Sequence, residues 1–201
     1  VPCFVRWPEG RFGESRDLLG LTQVQDLLPT ILDFCEVNSG TKFDGISLAS
    51  ALRGEELVPE DRMIIINYSR MPRLDYPMPD SPSIMRREGA GVLWKRWRLL
   101  EDKELYDLAS DPKQARNVIT EHPAVVKKMR AELDAWWEEV GAMANEPQPV
   151  VIGHEAENPM MLTACEWLDV FIDQQGQIRR GIRKNGWWEL KVAEAGEYEF
   201  E

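Results

Sequence analysis

The sequence predicts an α/β protein in which a small antiparallel sheet carries one long packed helix and is followed by a C-terminal β appendix. Three observations predict it. Val126, Met129, Leu133, Trp136 and Val140 recur at intervals of three and four residues, the spacing of one apolar helix face. Residues 92–108 are dense in aromatic and branched side chains around a short charged segment, Glu101-Asp102-Lys103, and read as a β-hairpin. After Asn145-Glu146-Pro147-Gln148-Pro149 the helical spacing gives way to short apolar runs broken by Gly176, Asn185-Gly186 and Ala195-Gly196, which read as antiparallel strands.

Taken in order, residues 2–7 are expected to form a short buried strand ended by Pro8. A helix follows, because Val24, Leu27, Leu28, Ile31, Leu32 and Cys35 share helical spacing, with Thr22 as a candidate N-cap. Pro29 requires the regular helix to start near Asp26, so that the missing N–H falls in the first turn. The apolar stripe is expected to face inward and the helix to end near Val37. Asp44-Gly45 marks a turn, and residues 47–52 a short helix carrying Leu48 and Leu52 inward, closed by Gly54. Arg62 to Tyr68 is a continuous apolar run with three isoleucines, the pattern of a strand buried on both faces. Pro72, Pro77, Pro79 and Pro82 then hold the chain in a long loop, either a surface excursion or an edge of the substrate approach.

The hairpin ends at Asp111-Pro112, since proline excludes helix for itself and for the residue before it. His122-Pro123 opens the long helix with proline at its first position, and Gly141 stops it. In the appendix, strands are expected at residues 160–165, 168–172, 177–179, 187–192 and 198–200, with Asn185-Gly186 as a tight turn. Trp187 and Trp188 then fall on opposite faces.

The formal charge of −11 argues against nucleic acid or an anionic membrane as the main partner. No run approaches the roughly 20 apolar residues of a membrane span. Cys3, Cys35 and Cys165 lack C-x-x-C spacing, which excludes a zinc ribbon or a disulfide scaffold, and Cys3 and Cys35 are expected to be buried thiols. Val1 opens directly into an apolar run, and Glu197-Tyr198-Glu199-Phe200-Glu201 alternates like a strand in progress. The chain is therefore expected to be a piece of a longer protein.

Four motifs carry a family resemblance. Val1-Pro2-Cys3-Phe4-Val5-Arg6-Trp7-Pro8 is similar to a V-P-x-x-x-R-W-P strand, and Gln25-Asp26-Leu27-Leu28-Pro29-Thr30-Ile31-Leu32-Asp33 to a D-L-x-P-T-L-L-D helix. Asp44-Gly45-Ile46-Ser47-Leu48 is similar to a D-G-x-S-L turn. Arg96-Trp97-Arg98-Leu99-Leu100, Glu104-Leu105-Tyr106-Asp107-Leu108, Asp111-Pro112 and Asn117 are similar to a hairpin with its closing turn. In this order the motifs resemble the C-terminal portion of the sulfatases, arylsulfatase-like enzymes of the alkaline-phosphatase-like superfamily. The resemblance implies residues 1–58 as the end of the large α/β domain, 59–144 as the C-terminal subdomain and 150–201 as a β-rich appendix. It further implies a parent enzyme that hydrolyses sulfate esters on a small molecule or glycan. That parent would use a formylglycine and a calcium ion supplied by the upstream part of the same chain, and would be periplasmic or secreted.

None of that chemistry is carried by these residues. No cysteine or serine begins an x-P-x-R sequence, so no catalytic residue and no metal ligand is assigned, and the chain alone is expected to be inactive. His122 is expected to cap a helix start. His154 with Glu155 or Glu157 is a weak metal set, one histidine among acids. Aromatic faces beside cations suit sulfated sugar rings, which makes Trp94, Lys95, Arg96 and Trp97 the candidates for a substrate rim. Two alternatives stay open: a non-catalytic glycan-binding or interaction module, and part of a phosphonate or phosphodiester hydrolase of the same superfamily.

Overall fold

The structure is a computed structural model that describes residues 3–10, 12–67, 85–146, 148–163, 166–167, 175–181, 183 and 185–201. The helices are α1 (Leu27–Phe34), α2 (Ala49–Arg53), α3 (Pro123–Val140) and α4 (Gln175–Arg179). The strands are β1 (Met63–Asn67), β2 (Ala90–Trp94), β3 (Trp97–Leu100), β4 (Glu104–Asp107), β5 (Val150–Ile152) and β6 (Leu190–Val192). The chain divides into two compact units, residues 1–67 with 90–136 and residues 68–89 with 137–201. No helix among the described residues is long and apolar enough to cross a membrane.

The first unit is built on an antiparallel sheet of order β1-β2-β3-β4. Its register sets Ile65 opposite Val92, Val92 opposite Leu99, and Leu99 opposite Leu105, so one row of side chains crosses all four strands on one face. Val92, Leu99 and Leu105 are fully buried there with Val126, Met129 and Leu133 of α3, and Met63, Ile65, Trp94, Trp97 and Trp136 pack around them. The predicted helix stripe therefore meets the predicted hairpin. Each fully buried Leu stabilises this layer by about 1.5–3 kcal/mol.

Residues 92–100 are not one strand. They fold at Lys95-Arg96 into two, with Trp94 opposite Trp97 across a two-residue loop and Lys95 at φ 51°. Sequence pattern misses this turn because it lacks the glycine or asparagine that such loops favour. The next connection, Glu101-Asp102-Lys103, holds Glu101 at φ 49° and Asp102 at φ 60°. Arg130 of α3 pins it through both the carboxylate and the backbone carbonyl of Asp102.

The free edge of β4 is closed by side chains of the E-L-Y-D-L motif's own tail. The Asn117 amide oxygen accepts from Leu105 N and Ile119 N while its nitrogen donates to Lys103 O, standing in for a further strand. The Asp111 carboxylate accepts from Arg116 N, and this with neighbouring backbone N–H groups, first that of Ala115, holds its pKa below the ordinary value. The Asp-Pro turn is thus a backbone cradle around one carboxylate.

Several expectations need correction. The run 62–68 is not buried on both faces: β1 is an edge strand of the sheet, Ile64 is buried, and Ile66 is 38% exposed; Tyr68 lies outside the described residues. Residues 3–7 form no strand and are exposed, because nothing among the described residues pairs with them, and Pro8–Gly10 is a 3-10 turn. The α1 stripe faces outward. Val24, Leu27, Leu28 and Ile31 are 73%, 42%, 54% and 55% exposed, while Asp26, Pro29 and Thr30 are buried. Helical spacing identifies the stripe but not what covers it. Cys3 and Cys35 are exposed thiols for the same reason, and Cys165 lies outside the described residues. In α2 the buried residues are Ala49 and Ala51, with Leu48 and Leu52 half-buried.

Helix boundaries agree better. A 3-10 turn at Val24–Asp26 leads into α1, with Gln23 rather than Thr22 at the cap, and Pro29 sits in the first turn of α1. Val37 N bonds to Leu32 O and Glu36 N to Asp33 O, with Glu36 at φ 56°, a Schellman ending with a glutamate where glycine is favoured.

In the second unit β5 and β6 pair in parallel, Val150 with Leu190 and Ile152 with Val192, so the expected all-antiparallel appendix is corrected. A parallel pair needs a long crossover, here residues 153–189, and alternation along a strand carries no information about the direction of its partner. Gln175–Arg179 is helical rather than extended. Residues 160–163 and 198–200 form no strand, and Asn185-Gly186 forms no tight turn. Residues 164–165 and 168–172, and the four prolines of the 71–91 loop, lie outside the described residues. The tryptophan alternation holds: Trp187 is 53% exposed, and Trp188 is half-buried, its indole N–H donating to Thr163 O and its ring packed at a tilt of 58° against Trp167.

Candidate functional site

The four residues expected at a substrate rim form the β2–β3 turn, where they meet two partners from distant sequence. Asp61, just before β1, accepts a hydrogen bond from the Trp94 indole N–H at 3.1 Å and from Lys128 Nζ of α3 at 2.7 Å. Lys95 Nζ lies 3.6 Å from the same carboxylate. Lys128 Nζ stands 4.4 Å and Lys95 Nζ 5.3 Å from the centroid of the Trp94 ring, within cation–π range. Lys128 first, with the Trp94 N–H and the Lys95 charge, holds the Asp61 carboxyl below its ordinary pKa against the desolvation that raises it.

On the other side of the turn, Arg96 grips Asp107 of β4 through two nitrogens. Ser110 Oγ and Ala109 N also donate to that carboxylate. Arg96 first, with these donors, pushes the Asp107 carboxyl far below the usual carboxylate range. The Arg96 guanidinium lies 5.8 Å from the Trp97 ring, and His122 packs on that ring at 4.6 Å. Trp94 and Trp97 both pack against the core, so the indoles serve the fold while the cations above them remain about half exposed. Asp61 and Lys128 escape a sequence reading because they stand 33 and 34 residues from Trp94 in opposite directions. Lys128 also falls on the wet side of a helical wheel.

A second polar centre lies inside the unit. The Asp26 carboxylate, fully buried, receives both Arg62 nitrogens, at 2.8 and 2.5 Å, with Gln23 N at 2.8 Å and Ile46 N at 3.0 Å. Arg62 also donates to Leu21 O, and Thr30 Oγ1 accepts from Leu48 N. The D-L-x-P-T and D-G-x-S-L motifs are therefore bonded to each other. A Cβ on Gly45 would stand 2.1 Å from Gln25 O, which is why this turn takes glycine. Burial pushes the Asp26 carboxyl up, but Arg62, Gln23 N and Ile46 N together outweigh it and leave the pKa lowered. A carboxylate so fully occupied holds chain together rather than reacting.

The two histidines are structural. His122 accepts the first α3 hydrogen bond through its carbonyl, and His154 Nδ1 accepts from Ala156 N to cap the 3-10 turn Glu155–Glu157. Among the described residues no group of three His, Cys, Asp or Glu side chains is placed to hold a metal ion.

No family model matches the chain, and no curated protein matches it. Solved structures do resemble it. A sulfatase of Bacteroides thetaiotaomicron VPI-5482 aligns at 25% identity with a TM-score of 0.43, over 58% of this chain and 24% of its own. A 2-O GAG sulfatase aligns at 25% identity and a TM-score of 0.42 over the same shares. A protein solved with its substrate D-glucosamine-2-N,6-O-disulfate aligns at 22% identity and a TM-score of 0.42, over 61% of this chain and 25% of its own. The chain spans about a quarter of the length of these solved structures.

Proposed function

We propose that the chain is the C-terminal portion of a periplasmic or secreted sulfatase whose upstream part carries the formylglycine nucleophile and the calcium site. The observation that carries this reading is that two of the sequence motifs are bonded to each other and a third closes on itself. Asp26 of the first helix accepts from Ile46 of the glycine turn, Ser47 of that turn donates to Asp33, and Asp111 and Asn117 close the hairpin. Such bonding supports a shared origin for the helix and glycine-turn motifs over chance matches. The exposed apolar face of Val24, Leu27, Leu28 and Ile31 further supports a parent in which more protein covers α1.

The residues present do not fit the cofactors that the reading implies. The chain contains no C-x-P-x-R or S-x-P-x-R sequence, and the acidic groups of its two polar centres are spent on arginine, lysine and backbone N–H donors. No catalytic step is therefore assigned to this chain. Its part in the parent is to hold the end of the α/β domain on the antiparallel sheet through the Asp26–Arg62 pair.

The test is hydrolysis of an aryl sulfate in the presence of calcium. A version extended upstream to include the formylglycine motif, made with its maturation enzyme, is expected to turn over. The 201-residue chain is expected to stay at the uncatalysed rate, since loss of even one charge-stabilising donor from an active site costs about 100-fold to 1000-fold. Turnover by the short chain, or a parent gene with no upstream sulfatase motif, would refute the proposal.

A further inference from the structure

The donors gathered at the β2–β3 turn bind an anion that belongs to the chain itself. Lys95 Nζ, Lys128 Nζ and the Trp94 indole N–H come from a turn, a helix and a strand, and all three converge on the Asp61 carboxylate. Ion pairs between exposed groups add little to stability, and the Asp61 side chain is 64% exposed with its lysines at 45% and 46%. The carboxylate can therefore swing away at small cost. What it leaves behind stays in place, because Trp94 is fixed by its pairing with Met63 and Trp97. Lys128 is drawn to the same indole, and the Asp26 grip on Arg62 anchors the backbone next to Asp61.

We propose that this cluster is a binding site for the sulfate group of a sugar, with Asp61 acting as an internal stand-in that the ligand displaces. Two ammonium groups against one carboxylate leave a local positive charge on a chain of net charge −11, which selects an anion. Three donors match the three terminal oxygens of a sulfate ester better than the two of a carboxylate. The oxyanion site follows from the geometry alone. Naming its carrier as a sulfated sugar rests on the sulfatase reading above.

The experiment uses the 201-residue chain and follows the Trp94 indole N–H resonance by NMR during titration with D-glucosamine-2-N,6-O-disulfate, inorganic sulfate and unsulfated D-glucosamine. The disulfate is expected to shift the resonance saturably and the unsulfated sugar to leave it unmoved. Asp61→Asn removes the competitor and should tighten disulfate binding about 1.5-fold to fivefold, the range that exposed ion pairs set. Lys128→Gln should weaken binding by a similar factor, and Lys95→Gln on the exposed turn serves if the helix variant does not fold. A disulfate affinity unchanged in Asp61→Asn, or unchanged in both lysine variants, would overturn the site. Inorganic sulfate binding as tightly as the disulfate would overturn the sugar as its carrier. Neither result touches the hydrolysis test of the extended chain, so the two readings fail separately.

Discussion

Replacing Asp26 by asparagine tests whether the buried ion pair holds the first motif to the sheet. The carboxylate is fully buried and its Arg62 partner has a side chain only 10% exposed, so the substitution leaves a guanidinium without a counter-charge in a site closed to water. Breaking a buried pair from one side costs about 3–5 kcal/mol. The asparagine oxygen can keep one of the two backbone N–H donors, Gln23 or Ile46, but its NH2 group then faces donors. Urea denaturation should show Asp26→Asn destabilised by that amount. The double variant Asp26→Asn/Arg62→Met should be no less stable than the single, because removing the guanidinium removes the stranded charge. The pH dependence has a definite sign. The folded pKa of Asp26 is lowered, so its contribution is present above the unfolded carboxylate value and is lost as pH falls below it through the folded value. That acid-side loss should be smaller in Asp26→Asn. A cost below about 1 kcal/mol, or strictly additive effects of Asp26→Asn and Arg62→Met, would refute the reasoning.

Two further substitutions probe the packing and a cap. Leu133→Ala should cost about 2–5 kcal/mol in the same denaturant assay, since Leu133 is fully buried between α3 and the sheet; a cost below about 0.5 kcal/mol would place that stripe in solvent. Glu36→Gly should raise stability by about 0.5–1 kcal/mol in a thermal melt, because Glu36 closes α1 at φ 56°, where a side chain is strained and glycine is not. A loss would mean that Glu36 makes a contact worth more than the strain.

The family resemblance was legible in sequence because turn and cap chemistry is local. Asp111-Pro112 must end a strand, and Pro29 must stand in a first turn; each follows from the backbone of the residue itself. The long helix was legible for a related reason, since its apolar period needs a flat apolar surface and the neighbouring hairpin supplies one. Of the candidate site the sequence offered half. Trp94, Lys95, Arg96 and Trp97 are adjacent in the chain and drew notice as aromatic residues beside cations.

Tertiary structure alone decided the rest. It brought Asp61 and Lys128 to Trp94 and chose Asp26 and Arg62 as partners across 36 residues. It turned the α1 stripe outward and set β5 and β6 parallel. These are long-range facts, fixed by which surfaces meet and which strand edges remain to be paired. A side chain's spacing from its neighbours determines the face it shares with them, and only the remainder of the fold determines what that face touches.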